Sequence, residues 1–391
     1  MLVLKSNRPH ISFFGCTNAG KSSLVNAITN QNLSVISDIK GTTTDPVEKS
    51  MELLPLGPVV IIDTAGIDDE SEIGKLRIEK TKQILNKTDI AILVIDSTIG
   101  ESDFDKKMIK EFKSKKIPYI IVYNKSDLLS EQKNETQNSE IIYLSTFTKL
   151  GIDVLKEKIV SIINKEKKEK FIIKNKIQSG DIIILVIPID ESAPKGRIIL
   201  PQQNILREIL DANAIAICTQ PENLSEIIKN IHPKIVITDS QVFNKVKELV
   251  PNEIILTSFS ILMANYKGEL TTLLNGAKKI SDLQNGDKVL ISEGCTHHRQ
   301  CNDIGTVKLP KWIKNYTQKN IQFEFTQGGE FPTNLNQYAL IIHCGGCMLN
   351  ETEMKSRIKN ALNQNIPIVN YGMAIAYMNG ILKRSLEIFE K

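Results

Sequence analysis

The sequence predicts an α/β protein of three domains: a nucleotide-binding domain with a doubly wound sheet over 1–170, then two smaller parallel-sheet α/β domains over 171–265 and 266–391. Three observations lead there. A chain of 391 residues is too long for one compact core and comfortable for two or three. Short apolar runs alternate with helical stretches, the pattern of strand–helix–strand crossovers. A glycine-rich loop joins the first apolar run to the first helical one, as phosphate-binding loops do.

Composition narrows the class. The chain is 41% hydrophobic and 24% charged with a formal charge of only +4, which is not the footprint of a nucleic-acid binder. The apolar run Ile182 to Ile189 is closed by Asp181 and Asp190, short of the roughly 20 residues that span a bilayer. The N-terminus lacks a basic-then-apolar signal pattern, so the expected compartment is the reducing cytoplasm, where the six cysteines stay out of disulfides. Cys295, Cys301, Cys344 and Cys347 fall in one stretch with His297, His298 and His343, while Cys16, Cys218, His10 and His232 lie apart. Soft ligands gathered this way suggest a metal site.

The first domain opens on a buried strand, Ile11 to Phe14, followed by Gly15-Cys16-Thr17-Asn18-Ala19-Gly20-Lys21-Ser22 and the helical pattern from Ser23 to Ile28. Gly15, Asn18, Ala19 and Gly20 belong to a loop whose N–H groups converge on phosphates, with Ser23 at the start of the helix as a further nucleotide-binding residue. Lys21 supplies the cation and the Ser22 hydroxyl ligates Mg²⁺. The strand Val59 to Ile62 runs into Asp63-Thr64-Ala65-Gly66, a carboxylate near Mg²⁺ and a glycine that senses the γ-phosphate. After the strand Pro118 to Tyr123 comes Asn124-Lys125-Ser126-Asp127; the Asp127 carboxylate matches the paired donors of guanine, which adenine lacks. Ser145-Thr146, after the strand Ile141 to Leu144, fits the last guanine loop. The expected ligand is therefore GTP. An amphipathic helix carrying Val154, Leu155, Ile159, Ile162 and Ile163 closes the domain, and the mixed-sign run Lys165 to Lys170 reads as a solvated helix end or linker.

The middle domain is read from apolar runs at Ile182 to Ile187, Ala214 to Cys218, Ile235 to Thr238 and Ile254 to Thr257. They alternate with helices around Asn204 to Leu210, Leu224 to Ile231 and Val242 to Leu249. No catalytic constellation falls here. The polar loop Asp190 to Arg197 is either an ordinary exposed loop or part of an interface.

In the third domain, the strand Lys288 to Glu293 runs into Gly294-Cys295-Thr296-His297-His298, and the strand Tyr338 to Ile342 into His343-Cys344-Gly345-Gly346-Cys347. A helix, Glu353 to Leu362, and a strand, Ile366 to Val369, complete a parallel unit. Ligands gather beyond the carboxyl ends of such strands, which would bring both cysteine groups together. The Gly345-Gly346 interior lets backbone N–H groups turn toward thiolate sulfur, and Cys295 would be a third thiolate. Spacing alone leaves an iron–sulfur cluster and a structural zinc site, completed by His297 or His343, equally open, with buried metal-free cysteines as the third reading.

Two resemblances go further. Gly41-Thr42-Thr43-Thr44-Asp45 and Asn18 resemble the switch segment and potassium-holding asparagine of the Era and TrmE-like GTPases. That likeness implies Mg²⁺ on Ser22 and Thr43, K⁺ on Asn18, and catalysis by Lys21, Thr43, Asp63 and Gly66. Position 67 is isoleucine where Ras-like proteins carry a water-orienting glutamine, so turnover should be slow and stimulated by potassium. Downstream, Cys295-x-His297 and His343-Cys344-x-x-Cys347, with Ala193 to Arg197, Leu200-Pro201-Gln202, Thr238 to Gln241 and Asn370-Tyr371-Gly372, resemble the HydF family of [FeFe]-hydrogenase maturation GTPases. This resemblance implies a dimerisation domain over 171–265 and a homodimer. It implies a [4Fe-4S] cluster on Cys295, Cys344 and Cys347, with His297, His343 or an exogenous group as fourth ligand. Cys301 is read as a bystander thiol that could compete as a ligand, and His298 as lying behind the ligands or in solvent. The implied role is a scaffold that takes a transient di-iron precursor from radical-SAM maturation enzymes and delivers it to apo-[FeFe]-hydrogenase. The alternative is an Era-like ribosome-assembly or tRNA-modification GTPase with a C-terminal zinc site, for which neither a basic stripe nor a KH-type loop is seen.

Overall fold

A computed structural model describes residues 7–29, 47–54, 56–64, 80–130, 140–166, 170–189, 198–268, 270–294, 303–346 and 348–390. The chain divides into two compact units, Met1–Lys168 and Glu169–Lys391.

In the first unit, β1 (His10–Phe14), β2 (Val47–Leu53), β3 (Gly57–Asp63), β4 (Ile90–Asp96), β5 (Tyr119–Asn124) and β6 (Ile141–Tyr143) form one sheet in the order β2-β3-β1-β4-β5-β6. All neighbours are parallel except β2 and β3. Successive strand residues point to opposite faces, and β4 shows the result. Ile90, Ile92 and Val94 enter one core with Leu24, Ile28, Leu155 and Ile159. Ala91, Leu93 and Ile95 enter another with Met108 and Phe112. Helices Lys21–Thr29 and Ile152–Glu166 supply the first core and Asp103–Lys115 the second. A sheet buried on both faces requires continuous apolar strands rather than alternating ones. Val154 departs from its expected place in the apolar stripe: it is exposed, while Leu155, Ile159 and Ile163 are buried.

The second unit holds two four-stranded parallel sheets. One contains β7 (Ile182–Val186), β8 (Ile215–Thr219), β9 (Ile235–Thr238) and β10 (Ile255–Ser258), in the order β10-β9-β7-β8. The other contains β11 (Lys288–Glu293), β12 (Gln322–Gln327), β13 (Leu340–His343) and β14 (Ile368–Asn370), in the order β12-β11-β13-β14. Stretches 171–265 and 266–391 thus each carry one sheet, but the two sheets bury a common core: Ile184, Val236 and Leu256 share a cluster with Val289, Leu290 and Ile341. The joint is close. Gly372, in the helix Tyr371–Met378, lies where a Cβ would stand 2.3 Å from Cβ of Ser260 in the helix Phe259–Lys267. Among the described residues, no helix is long and apolar enough to cross a membrane.

One shift bears on the site. The strand expected at Tyr338 to Ile342 runs instead from Leu340 to His343, because pairing with β11 and β14 continues through His343, opposite Ser292 and Asn370. His343 is therefore a strand residue of the core, not part of the loop beyond it.

Packing of the helix Leu270–Lys278 on β14 generates a prediction. A Cβ at Gly276 would stand 1.9 Å from the Ile368 carbonyl oxygen. Gly276→Ala is expected to destabilise the second unit by about 1–3 kcal/mol through overpacking, read as a lower urea midpoint. A midpoint at or above that of the parent would contradict this packing.

Candidate functional site

The glycine-rich loop leaves β1 through Gly15, whose φ of +144° and a would-be Cβ 2.2 Å from the Val94 carbonyl oxygen exclude any side chain. Gly20 is equally constrained, with a would-be Cβ 2.1 Å from the Asn124 Nδ2. Asn18, exposed at the loop's crest, adopts φ +61°, a left-handed conformation that asparagine tolerates. The buried Lys21 ammonium donates to the carbonyls of Gly15 at 3.0 Å and Cys16 at 2.8 Å. Ser22 and Ser23 open the helix that follows. The Ser22 hydroxyl donates to Asp63 Oδ2 at 2.7 Å, and buried Asp63 Oδ1 has no hydrogen-bond partner among the described residues. Hydroxyl and carboxylate oxygens held together, with a spare buried lone pair, are a donor set suited to a hard cation such as Mg²⁺.

The base-recognition segments converge on the same loop. Fully buried Asn124 donates from Nδ2 to the Ala19 carbonyl at 3.0 Å and accepts from the Thr146 N–H at 3.2 Å. One side chain thus ties the phosphate loop to the end of β6. Lys125, at φ +62°, is salt-bridged to Asp96. Burial works against the Asp96 charge, but hydrogen bonds from Lys125 and Thr98 outweigh it and hold the carboxyl below its ordinary range. Ser145 is buried with its hydroxyl accepting from the Thr148 N–H at 3.1 Å, and Asp127 is exposed in the turn that follows β5. Thr43 and Gly66 lie outside the described residues, as does Ile67.

In the second unit, β11 and β13 run side by side and their ends meet at one sulfur. Cys344 Sγ accepts N–H hydrogen bonds from Gly294 at 3.0 Å and Gly346 at 3.3 Å, while the Cys344 N–H donates to the Ser292 carbonyl at 2.9 Å. Two amides aimed at a half-buried sulfur are donors of the kind that a metal-bound sulfur accepts. Gly294 is confined by Leu349, and Gly346 takes φ +61°. Among the described residues, Cys16, Cys218 and Cys344 form no disulfide. Cys295, His297, His298, Cys301 and Cys347 lie outside the described residues. Among the residues that are described, no group of three His, Cys, Asp or Glu converges on a metal position.

His343 does not fit the expectation of a metal ligand. It is fully buried, its Nδ1 lies 2.8 Å from the Cys344 carbonyl oxygen and its Nε2 lies 2.9 Å from Arg357 Nη1. Burial and the Arg357 charge push its pKa down to about 3. A neutral ring that donates from Nδ1 and accepts at Nε2 has no lone pair left for iron or zinc. The strand shift explains it: one residue earlier than the loop, the imidazole turns into the core.

Two charged groups escaped the sequence reading. Arg357 is buried and bonds Gly328 O at 2.6 Å and Glu353 Oε1 at 2.7 Å as well as His343, with Phe331 5.2 Å from its carbon centre. Lys267 is buried and donates to the carbonyls of Gly346 and Leu349, on either side of position 347. Neither carries a motif: Arg357 lies in the helix that follows the cysteine loop, and Lys267 ends a helix that follows β10, far from that loop in the sequence.

Comparison with known proteins follows the same division. Residues 172–268 match the hydrogen maturase F dimerization domain, residues 271–388 the hydrogen maturase F tetramerization domain, and residues 10–125 a 50S ribosome-binding GTPase domain. The chain is 36% identical over 156 residues to the tRNA modification GTPase MnmE of Desulforamulus reducens, covering 38% of this chain and 33% of that protein. It is 33% identical over 172 residues to the GTPase Der of Kosmotoga olearia, covering 40% of this chain and 39% of that one. The chain thus spans between a third and two fifths of the length of these curated relatives.

Asn124 offers a test of the nucleotide-site geometry. Asn124→Ala strands the buried Ala19 carbonyl and the Thr146 N–H and is expected to cost about 1–3 kcal/mol, seen as a lower melting temperature of the first unit. An unchanged melting temperature would show that the side chain does not join the two loops.

Proposed function

Because this chain belongs to the hydrogen maturase F family, we propose that it joins a slow, potassium-stimulated GTPase to a [4Fe-4S] cluster and serves as a scaffold and carrier for the di-iron unit of [FeFe]-hydrogenase. One observation carries the reading. At the adjoining ends of β11 and β13, the Cys344 sulfur receives two backbone N–H groups, the environment a cluster thiolate needs. Cys295 and Cys347 would complete a three-thiolate set. With His343 committed to Arg357, the fourth iron falls to His297 or to an exogenous group, such as an atom of the di-iron precursor.

In the GTPase, Ser22 and Asp63 would hold Mg²⁺, with Thr43 added from the switch segment; the ion supplies charge neutralisation at the β- and γ-phosphates. Lys21 would exchange two loop carbonyls for phosphate oxygens. Asn124 would keep the phosphate loop in register with Asp127, Ser145 and Thr146 at the guanine. Asn18, exposed at the crest, would hold K⁺ as the fixed positive charge that replaces a catalytic glutamine. Gly66 would report the γ-phosphate by ordering its segment. Through such order and disorder, GTP would time the exchange of partners: the radical-SAM enzymes that supply the precursor, apo-hydrogenase that receives it, and a second copy of this chain across the dimerisation region. The domains would divide at 170 and 265, and the site of action would be the cytoplasm.

Two experiments test the reading. Purified without oxygen, the protein should be brown and, on reduction, give an EPR signal that Cys344→Ser abolishes; a colourless protein that keeps stoichiometric zinc after iron–sulfide reconstitution would refute it. GTP turnover should rise on replacing sodium with potassium, and Asn18→Ala should remove that difference. If parent and variant respond equally to the two salts, the potassium assignment fails.

A further inference from the structure

Lys267 ends the helix Phe259–Lys267, which follows β10 in the first sheet of the second unit, yet its ammonium reaches the cysteine loop of the other sheet. Only 3% of the residue is exposed. Burying an ammonium is costly unless polar partners replace its water. Here Nζ donates to the Gly346 carbonyl at 3.1 Å and the Leu349 carbonyl at 2.7 Å. Those two residues are themselves joined, Leu349 N–H donating to Gly346 O at 3.1 Å. Gly346 therefore presents its amide to the Cys344 sulfur and its carbonyl to a buried cation. Lys267 holds the segment that aims this N–H, and it does so from a helix of the region matched to the dimerization domain.

We propose that Lys267 is a positioning residue for the cysteine loop and that its charge raises the reduction potential of a cluster bound there; this rests on the cluster reading above. Reduction adds one electron to a centre already surrounded by thiolates. A fixed cation nearby stabilises the added charge, and burial protects that interaction from screening by salt. A purely mechanical clamp would need hydrogen-bond donors but no charge, so the two roles separate by substitution.

The test uses the full chain, reconstituted anaerobically with iron and sulfide, in three variants. Lys267→Arg keeps the charge, Lys267→Gln keeps a donor without it, and Lys267→Met keeps neither. EPR-monitored redox titration should give Lys267→Arg the midpoint of the parent and shift both neutral variants to more negative potential. Under a chelator, Lys267→Met should lose its visible absorption fastest. Neutral variants with the parent's midpoint would overturn the charge role, and a parent-like chelation rate in Lys267→Met would overturn the positioning role. Failure of both neutral variants to fold would make Lys267 a residue of general stability and also overturn the proposal. A parent protein that takes up no cluster overturns the underlying reading and this one with it; a loaded parent with unmoved variants removes only this one.

Discussion

Two parallel strands, β11 and β13, end side by side, and the amide leaving the first points at the sulfur leaving the second. That contact, Gly294 N–H to Cys344 Sγ, depends on the whole of the second unit. It needs the register that sets Ser292 opposite His343, the apolar packing that keeps both strands buried, and a residue at 294 without a side chain, since Leu349 fills the space. The rest of the site protects it. Arg357 pins His343 beneath the loop, and Lys267 pins Gly346 from the other sheet. Two backbone amides take the place of the water that the Cys344 sulfur gives up on burial.

The nucleotide site follows the same logic with oxygen in place of sulfur. Phosphates need N–H groups and a cation where a strand gives way to a helix. Gly15 and Gly20 allow the loop to lie against Val94 and Asn124, and Lys21 stays ready within reach of its own carbonyls. Asn124 carries most of the burden of coherence: it is the buried side chain that connects the phosphate loop with the loop after β6.

Much of this was legible in the sequence because the sheets are parallel and buried on both faces, so that β7, β9 and β11 read as plain apolar runs. Strands escaped where that rule fails. β12, Gln322–Gln327, is a polar edge strand, and β2, Val47–Leu53, is half-buried and antiparallel. The glycine loop and the Asn124 and Asp127 segment were readable because backbone geometry demands those residues at those spacings. His343 was misplaced because strand length is decided by pairing partners, which local sequence does not display. Lys267 and Arg357 were invisible for a related reason: a basic residue at a helix end or on a helix face looks solvated until tertiary packing closes over it.

X-ray absorption on the anaerobically reconstituted full chain distinguishes iron from zinc at the loop around Cys344. A cluster-bearing chain should show an iron edge with sulfur neighbours and the iron–iron scattering of a cubane cluster, lost in Cys344→Ser. A zinc edge with mixed sulfur and nitrogen neighbours, and no iron–iron scattering, would contradict the cluster reading.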